Sequence, residues 1–351
     1  MRVSWKWRVM LTGCAAGLCA IYLLNASWLA TPPDGTARLI AQRGVAQTYA
    51  VDSLATDETC TARSIKPPTH YYIDNTVASI EAALSAEADI VEIDIRLTRD
   101  GRFVLFHDNA LDCRTDGSGP VLQHDLADLH RLDVGYGYTA DNGVTYPLRG
   151  KGVGLIPGLT EVLLRFPDAK FLIQIKDGDP AVATPLIKEL DDLPTPPWTR
   201  LTFFGSPAAL HRLKRLKPSA DTWSARAAKE CGIGYLETGW YGRIPSACDH
   251  GIIIVPIRQA YLLWGWPNRF LARMRAHHTR VMVIGTLAGM PSGMLSRLDT
   301  PEQLAELPRG FDGLIWTDRI SVIGPLLHGS NTTWRNELLE IRYANAVYWP
   351  I

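Results

Sequence analysis

Between Asp89 and Gly119 the chain reads DIVEIDIRLTRDGRFVLFHDNALDCRTDGSG, and several of its side chains have the types and spacing to act together. Strand side chains repeat every two residues, so Glu92 and Asp94 project from one face between Ile90, Ile93 and Ile95. Two carboxylates that close repel each other away from water, and a divalent cation is the usual compensation. Thr98-Arg99-Asp100-Gly101 reads as a turn. A second apolar run, Phe103 to Phe106, then delivers His107-Asp108 at its C-terminal end. The stretch predicts a metal site with an acid/base beside it. Asp108 serves in that reading either to tune the imidazole or to cap the turn.

The rest of the chain must position these groups. Ala37 to Gln42 reads as a buried strand ending in Gln42-Arg43-Gly44, where a guanidinium beside a glycine suits close approach of an anion. Residues 45–72 lack periodicity and form a long insertion with Cys60, Pro67-Pro68 and His70. Asp74-Asn75-Thr76 opens a helix with Val77, Ile80, Ala83 and Leu84 at helical spacing. A helix is predicted around Leu122 to Leu132, followed by a glycine- and tyrosine-rich loop from Val134 to Thr139. Further helices are predicted at Leu159 to Phe166, Pro180 to Leu190 and Ser206 to Leu216. Strands fall at Phe171 to Lys176 (Gln174 and Lys176 on one face), Leu201 to Phe204, Thr222, Ile252 to Pro256, Val281 to Ile284 and Asp312 to Trp316. The alternation predicts a parallel α/β fold. Site-like residues at strand C-termini favour a (β/α)₈ TIM-type barrel over a doubly wound sheet. Nine candidate strands are one too many for eight, so one is a hairpin strand or a misreading.

Composition narrows the function classes. The 351 residues are 46% hydrophobic and 21% charged, which argues for a folded chain, and a formal net charge of zero gives no support to nucleic-acid binding. Arg2, Lys6 and Arg8 precede an uncharged run, Val9 to Ala30, long enough to span a bilayer with its N-terminus in the cytoplasm. An uncleaved anchor is favoured over a cleaved signal. The remainder is then exported, on the periplasmic side of a bacterial inner membrane or secreted. Leu11-Thr12-Gly13-Cys14 has the letters of a lipoprotein box but almost no apolar core before it. In an oxidising compartment Cys60, Cys113, Cys231 and Cys248 allow three pairings, of which Cys60–Cys113 with Cys231–Cys248 is preferred. Trp240, Trp264 and Trp266 either pack under loops or touch a membrane surface. The expected organisation is a membrane or signal segment at 1–30, a linker at 31–37, a barrel at 38–328 carrying the 45–72 insertion, and a tail at 329–351.

The ordered series Arg43-Gly44, Asp74-Asn75-Thr76, Glu92-x-Asp94, Thr98-x-Asp100-Gly101, His107-Asp108, Arg114-Thr115, Ile173-x-Ile175-Lys176 and Asp312-Gly313-x-Ile315-x-Thr317-Asp318 resembles the glycerophosphodiester phosphodiesterase family, from about Arg38 to Leu327. The resemblance implies a (β/α)₈ barrel that hydrolyses glycerophosphodiesters to an alcohol and glycerol 3-phosphate in lipid metabolism, with one divalent cation, Ca or Mg. It implies Glu92 and Asp94 as metal ligands, with Gln174 and Asp74 as further candidates. Arg43 would hold the phosphate, Lys176 would add positive charge, His107 would be the general acid/base, and Arg114 is a candidate substrate contact. The chain departs from the pattern where the family's first strand ends in His-Arg-Gly: Gln42 stands there, and glutamine can hydrogen-bond but not take a proton. Asp74 is a shorter carboxylate than the family's glutamate, and Gln174 is a neutral oxygen where the family has another. Water, His70 or the substrate's own hydroxyl would supply the missing base. Two alternatives remain: an impaired relative that binds phosphodiester or lipid head groups, or another phosphodiesterase or lyase acting on lysophospholipids. The implied partners are a small phosphodiester and a membrane reached through the N-terminal helix, with no nucleic acid and no protein partner.

Overall fold

The structure, a computed structural model, describes residues 5–49, 60–286 and 296–329. The expected 329–351 tail lies almost wholly outside them, as do ten residues of the 45–72 insertion. In chain order the elements are α1 (Trp5–Asn25), β1 (Arg38–Ala41), α2 (Val77–Ser85), β2 (Ile90–Leu97), β3 (Phe103–Leu105), α3 (Leu126–Leu129), α4 (Leu159–Arg165), β4 (Lys170–Ile175), α5 (Ala183–Asp191) and β5 (Leu201–Gly205). They continue with α6 (Pro207–Leu216), β6 (Asp221–Thr222), α7 (Ala225–Thr238), β7 (Ile252–Pro256), α8 (Asn268–Ala276), β8 (Arg280–Ile284), α9 (Pro301–Ala305), β9 (Leu314–Thr317) and α10 (Ile320–His328).

The chain divides into two compact units. The larger comprises Arg38–Ala225, Ile284–Ala305 and the chain from Ile315 onward. Its strands run in the order β6-β5-β4-β2-β1-β9. The pairs β1–β2, β2–β4, β4–β5 and β5–β6 are parallel, as the alternation of strands and helices requires. The surplus strand is β3, which turns back to pair antiparallel with β2, Ile95 opposite Leu105. That hairpin accounts for nine strands. It also brings His107, just past β3, beside the C-terminal half of β2. Val91 to Arg96 are buried without alternation, the mark of an interior strand covered on both faces.

The segment read as a helix from Leu122 to Leu132 forms only a short 3₁₀ turn, Val121–Gln123, and the four-residue α3. The amide of Val121 donates to the carbonyl of Asn109 and that of Arg99 to the carbonyl of His124, which ties the segment to its neighbours and leaves no room for a continuous helix. At α2 the reading of Asp74-Asn75-Thr76 is met: Thr76 accepts from the Ser79 amide, and Ser79 Oγ accepts from the Thr76 amide. The described part of the insertion belongs to the core. Ala62 and Ile65 are buried with Phe106, Leu111, Tyr138 and Ile156, and a Cys60–Cys113 disulfide ties the insertion to the loop after His107.

The smaller unit comprises Met1–Ala37, Arg226–Val283 and Glu306–Leu314. It contains the second disulfide, Cys231–Cys248, so both preferred pairings are present. Cys14 and Cys19 are free and exposed on α1.

Candidate active site

The site lies wholly in the larger unit. Glu92 and Asp94 project from β2 in the same direction, and both are fully buried. Arg43 follows β1 in a left-handed conformation (φ 53°), and its amide donates to Glu92 Oε2 at 3.1 Å. Its guanidinium Nε lies 2.8 Å from Asp94 Oδ2. Gly44, also left-handed (φ +78°), has no room for a side chain: a Cβ would sit 2.6 Å from Ser79 Oγ. The turn therefore folds the guanidinium back over β2. Asn75, a third left-handed residue (φ 60°), clamps Asp94 twice. Its Nδ2 donates to Asp94 Oδ2 at 2.9 Å, and its Oδ1 accepts from the Asp94 amide at 3.0 Å.

Burial, with the Asp94 charge beside it, pushes Glu92 up to about 8. Burial would raise Asp94 as well, but Arg43, His107 and Lys176 hold it down at about 2. One oxygen of each carboxylate, Glu92 Oε1 and Asp94 Oδ1, is buried without a hydrogen-bond partner. Two orphaned anionic oxygens on one strand face suit a hard cation, which takes oxygen ligands. Gln174 lies level with Asp94 across the β2–β4 pair and is half-buried, in position to add a neutral oxygen. Among the described residues no group of three His, Cys, Asp or Glu side chains forms a cation cage.

Asp74, a further ligand candidate from the sequence, is a partner of guanidinium groups. Arg114 Nη1 lies 3.1 and 3.0 Å from its two oxygens, Arg43 Nη1 lies 3.5 Å away, and the hydroxyls of Tyr49 and Tyr138 donate to it. Its carboxylate is spent on cations already present. Arg114 is likewise enclosed: besides Asp74 it donates to Asp108 Oδ2 at 2.9 Å, to Thr61 Oγ1 at 2.6 Å and to the Tyr138 hydroxyl. At 2% exposure it is enclosed by these partners.

Asp108 tunes the imidazole. Its Oδ1 is 2.6 Å from His107 Nδ1 while Arg114 holds its other oxygen. Nδ1 then carries the proton, and Nε2, 3.1 Å from Lys176 Nζ, presents a lone pair to an ammonium donor. Burial first, then the charge of Arg43, pushes His107 well below its ordinary 6.5. A neutral imidazole is the form that accepts a proton.

Beyond β1 the character changes. Gln42 donates its amide to the Thr317 carbonyl, and its Oε1 accepts from Arg297 Nε and Nη2 at 3.3 and 3.1 Å. A guanidinium only donates, so Gln42 Oε1 faces Arg297 and its NH₂ turns the other way. Arg297 lies over the Trp316 ring, 3.9 Å from its centroid, and 3.8 Å from Asp318 Oδ1. Asp318 donates its amide to Asp299 Oδ1 at 2.7 Å, and burial together with Asp318 pushes Asp299 up to about 7. His70 sits apart from these contacts: Gln47 Nε2 is 3.2 Å from its Nδ1, and its ring lies against Tyr72.

Sequence reasoning missed Tyr49, Thr61, Asn75 as a clamp, Tyr138, Arg297 and Asp299. Tyr138 was available as a signal in the glycine- and tyrosine-rich loop. Arg297 comes from 255 residues beyond Gln42 with no local pattern to mark it.

Parallel strands with a carboxyl pair, an Asp-oriented histidine, Arg43 and Lys176 bring together groups of the kinds that phosphoester chemistry uses. Residues 68–190 match the model of the glycerophosphoryl diester phosphodiesterase family. The chain is 38% identical over 126 residues to a glycerophosphodiester phosphodiesterase of Bacillus subtilis, covering 34% of this chain and 42% of that protein. It thus spans less than half the length of that curated relative. In fold it is similar to the glycerophosphoryl diester phosphodiesterase domain of an uncharacterized Mycobacterium tuberculosis protein, at TM-score 0.59 and 16% identity over 84% of this chain and 100% of that one. A phosphodiesterase of Oleispira antarctica, solved with the product sn-glycerol-3-phosphate, superimposes at TM-score 0.50 and 18% identity, over 82% of this chain and 94% of that one. The fold is the TIM-type (β/α)₈ barrel expected from the sequence, preceded by one apolar helix.

Proposed function

We propose that the protein hydrolyses glycerophosphodiesters to glycerol 3-phosphate and an alcohol, with one divalent cation, on the exported side of the membrane. The observation that carries this reading is His107, held neutral between Asp108 and Lys176 and buried with the Glu92–Asp94 pair. Glu92 and Asp94, with Gln174, would hold the cation. When bound it would polarise the phosphoryl group and offset the charge that builds up in the pentavalent transition state. Arg43 and Lys176 supply the fixed positive charge for the non-bridging oxygens, and both stand where water is largely excluded. His107 Nε2 takes the proton of the attacking hydroxyl or water and returns it to the departing alkoxide, so one imidazole serves both steps. Asp108 keeps that imidazole in one tautomer, and Arg114 keeps Asp108 in place.

Gln42 cannot share the proton work. Its NH₂, turned away from Arg297, is suited to donate a hydrogen bond to a phosphoryl oxygen. The same observation favours a second reading, a slow relative that chiefly binds phosphodiester head groups. Turnover of glycerophosphodiesters with varied head groups, measured with and without added Ca or Mg, tests the proposal. Cation-dependent release of glycerol 3-phosphate is expected, abolished by chelation. Binding without turnover under all conditions favours the second reading, and turnover indifferent to chelation removes the cation from the account.

A further inference from the structure

The carboxyl end of α1 is built into the smaller unit. Arg273, on α8, donates to the Leu24 carbonyl at 3.0 Å and to Asn25 Oδ1 at 3.0 Å, and also to the Tyr235 hydroxyl at 2.9 Å and the Gly239 carbonyl at 3.1 Å. Leu24 offers one of the carbonyls that a helix leaves unpaired at its C-terminus, where a positive charge is favoured. Asn25 Nδ2 donates onward to the Trp240 carbonyl at 2.7 Å, and Ser27 Oγ accepts from the Asn268 amide at 2.9 Å. A segment destined for removal has no need of such a clamp.

The surface at the clamp is unusually apolar. Trp28, Leu236, Trp240, Tyr241, Tyr261 and Leu262 are all at least 40% exposed. Trp240 and Tyr241 lie edge to face at 4.7 Å, and the Trp264 indole donates to the Leu236 carbonyl one turn before them. Exposed patches of this kind mark interaction sites. The occupant follows from α1. Its 21 uncharged or flank-charged residues rise about 30 Å, the thickness of a bilayer's hydrocarbon core. None of its residues is buried in the protein. Because Asn25 hydrogen-bonds the Trp240 main-chain carbonyl, a bilayer that takes α1 would end within about a turn of residue 240. Trp and Tyr are the residues that settle at this depth, ring in the headgroup layer and polar atom toward water.

We infer that α1 is retained and clamped by Arg273, and that Trp28, Trp240, Tyr241, Tyr261, Leu262 and Trp264 form a rim that rests in the headgroup layer of a phospholipid bilayer. The inference rests on the reading of α1 as a membrane span and is independent of the phosphodiesterase reading, since its test measures no turnover. The full chain is reconstituted in phosphatidylethanolamine–phosphatidylglycerol vesicles carrying photoactivatable diazirine lipids, with the diazirine either near the ester carbonyl or at mid-chain. Peptides are then mapped by mass spectrometry. Label from the shallow probe is expected in residues 236–241 and 261–264, and label from the deep probe in α1. Recovery of the intact chain with residues 1–30 is expected as well. Label confined to α1, an unlabelled α1, or loss of residues 1–30 overturns the inference. Tyr261→Glu with Leu262→Glu, at exposed positions, is expected to remove the 261–264 label while α1 keeps its own. Unchanged label there means the linker alone holds the rim near the lipid, and the surface has no role.

Discussion

Two sides of the same site are built in different ways. On the β2–β3 side, Asp108, Arg114 and Asp74 hold His107 through a continuous run of one hydrogen bond and two ion pairs, with Tyr49 and Tyr138 closing the last gaps. On the β1–β9 side, the side-chain oxygen of Gln42 is met by Arg297, with Asp318 and the Trp316 ring behind it. One side orients a group that can carry a proton, and the other orients a group that cannot. On the proposed reading the chain concentrates its acid/base chemistry in one imidazole and keeps the second position for hydrogen bonding.

The largest effect is expected from removing the imidazole. His107→Ala should lower kcat roughly 10²–10⁴-fold, the usual worth of a general acid/base, with circular dichroism unchanged. A loss smaller than tenfold would break the contrast at its strong side. The pH profile sharpens it further. The folded His107 has a pKa well below 6.5, so its proton-accepting form persists as pH falls past that value. The acid limb of kcat/KM is expected below pH 6.5, and a limb centred at or above it would contradict the buried dyad.

Arg114 is the next largest. Arg114→Ala leaves Asp74 and Asp108 buried without their cation, a defect worth about 3–5 kcal/mol. Urea unfolding should show that loss, and a change under 1 kcal/mol would mean that the two carboxylates find other partners. Arg297→Ala is expected to cost less. Losing a charged donor to Gln42 should lower kcat/KM by about tenfold. Lysine at 297 should recover part of it, whereas an unchanged rate would leave Gln42 with no oriented role.

Much of this was legible before any coordinates. The Glu92–Asp94 face, the turn and His107 fall within sixteen residues, so strand periodicity and one hairpin suffice to assemble them. The Thr76 cap and the helices from Leu159 to Leu216 were legible for the same local reason. The partners of Asp74 were not legible because all four come from elsewhere: Arg43 and Tyr49 precede it by 31 and 25 residues, while Arg114 and Tyr138 follow by 40 and 64. No spacing rule reports which of several carboxylates will meet a buried guanidinium. The helix expected from Leu122 to Leu132 failed because its apolar pattern was real but its middle is bonded elsewhere: the Leu126 amide donates to Asp100 Oδ1 and the His124 carbonyl accepts from the Arg99 amide.

The account turns on position 42, and Gln42→His tests it most directly. If one imidazole carries the proton and Arg297 keeps the second position a hydrogen-bonding one, restoring histidine should change kcat for glycerophosphodiesters by less than about tenfold. A gain of roughly 10²-fold or more, the scale of an added acid/base, would contradict it and show that the native site lacks a proton carrier it needs.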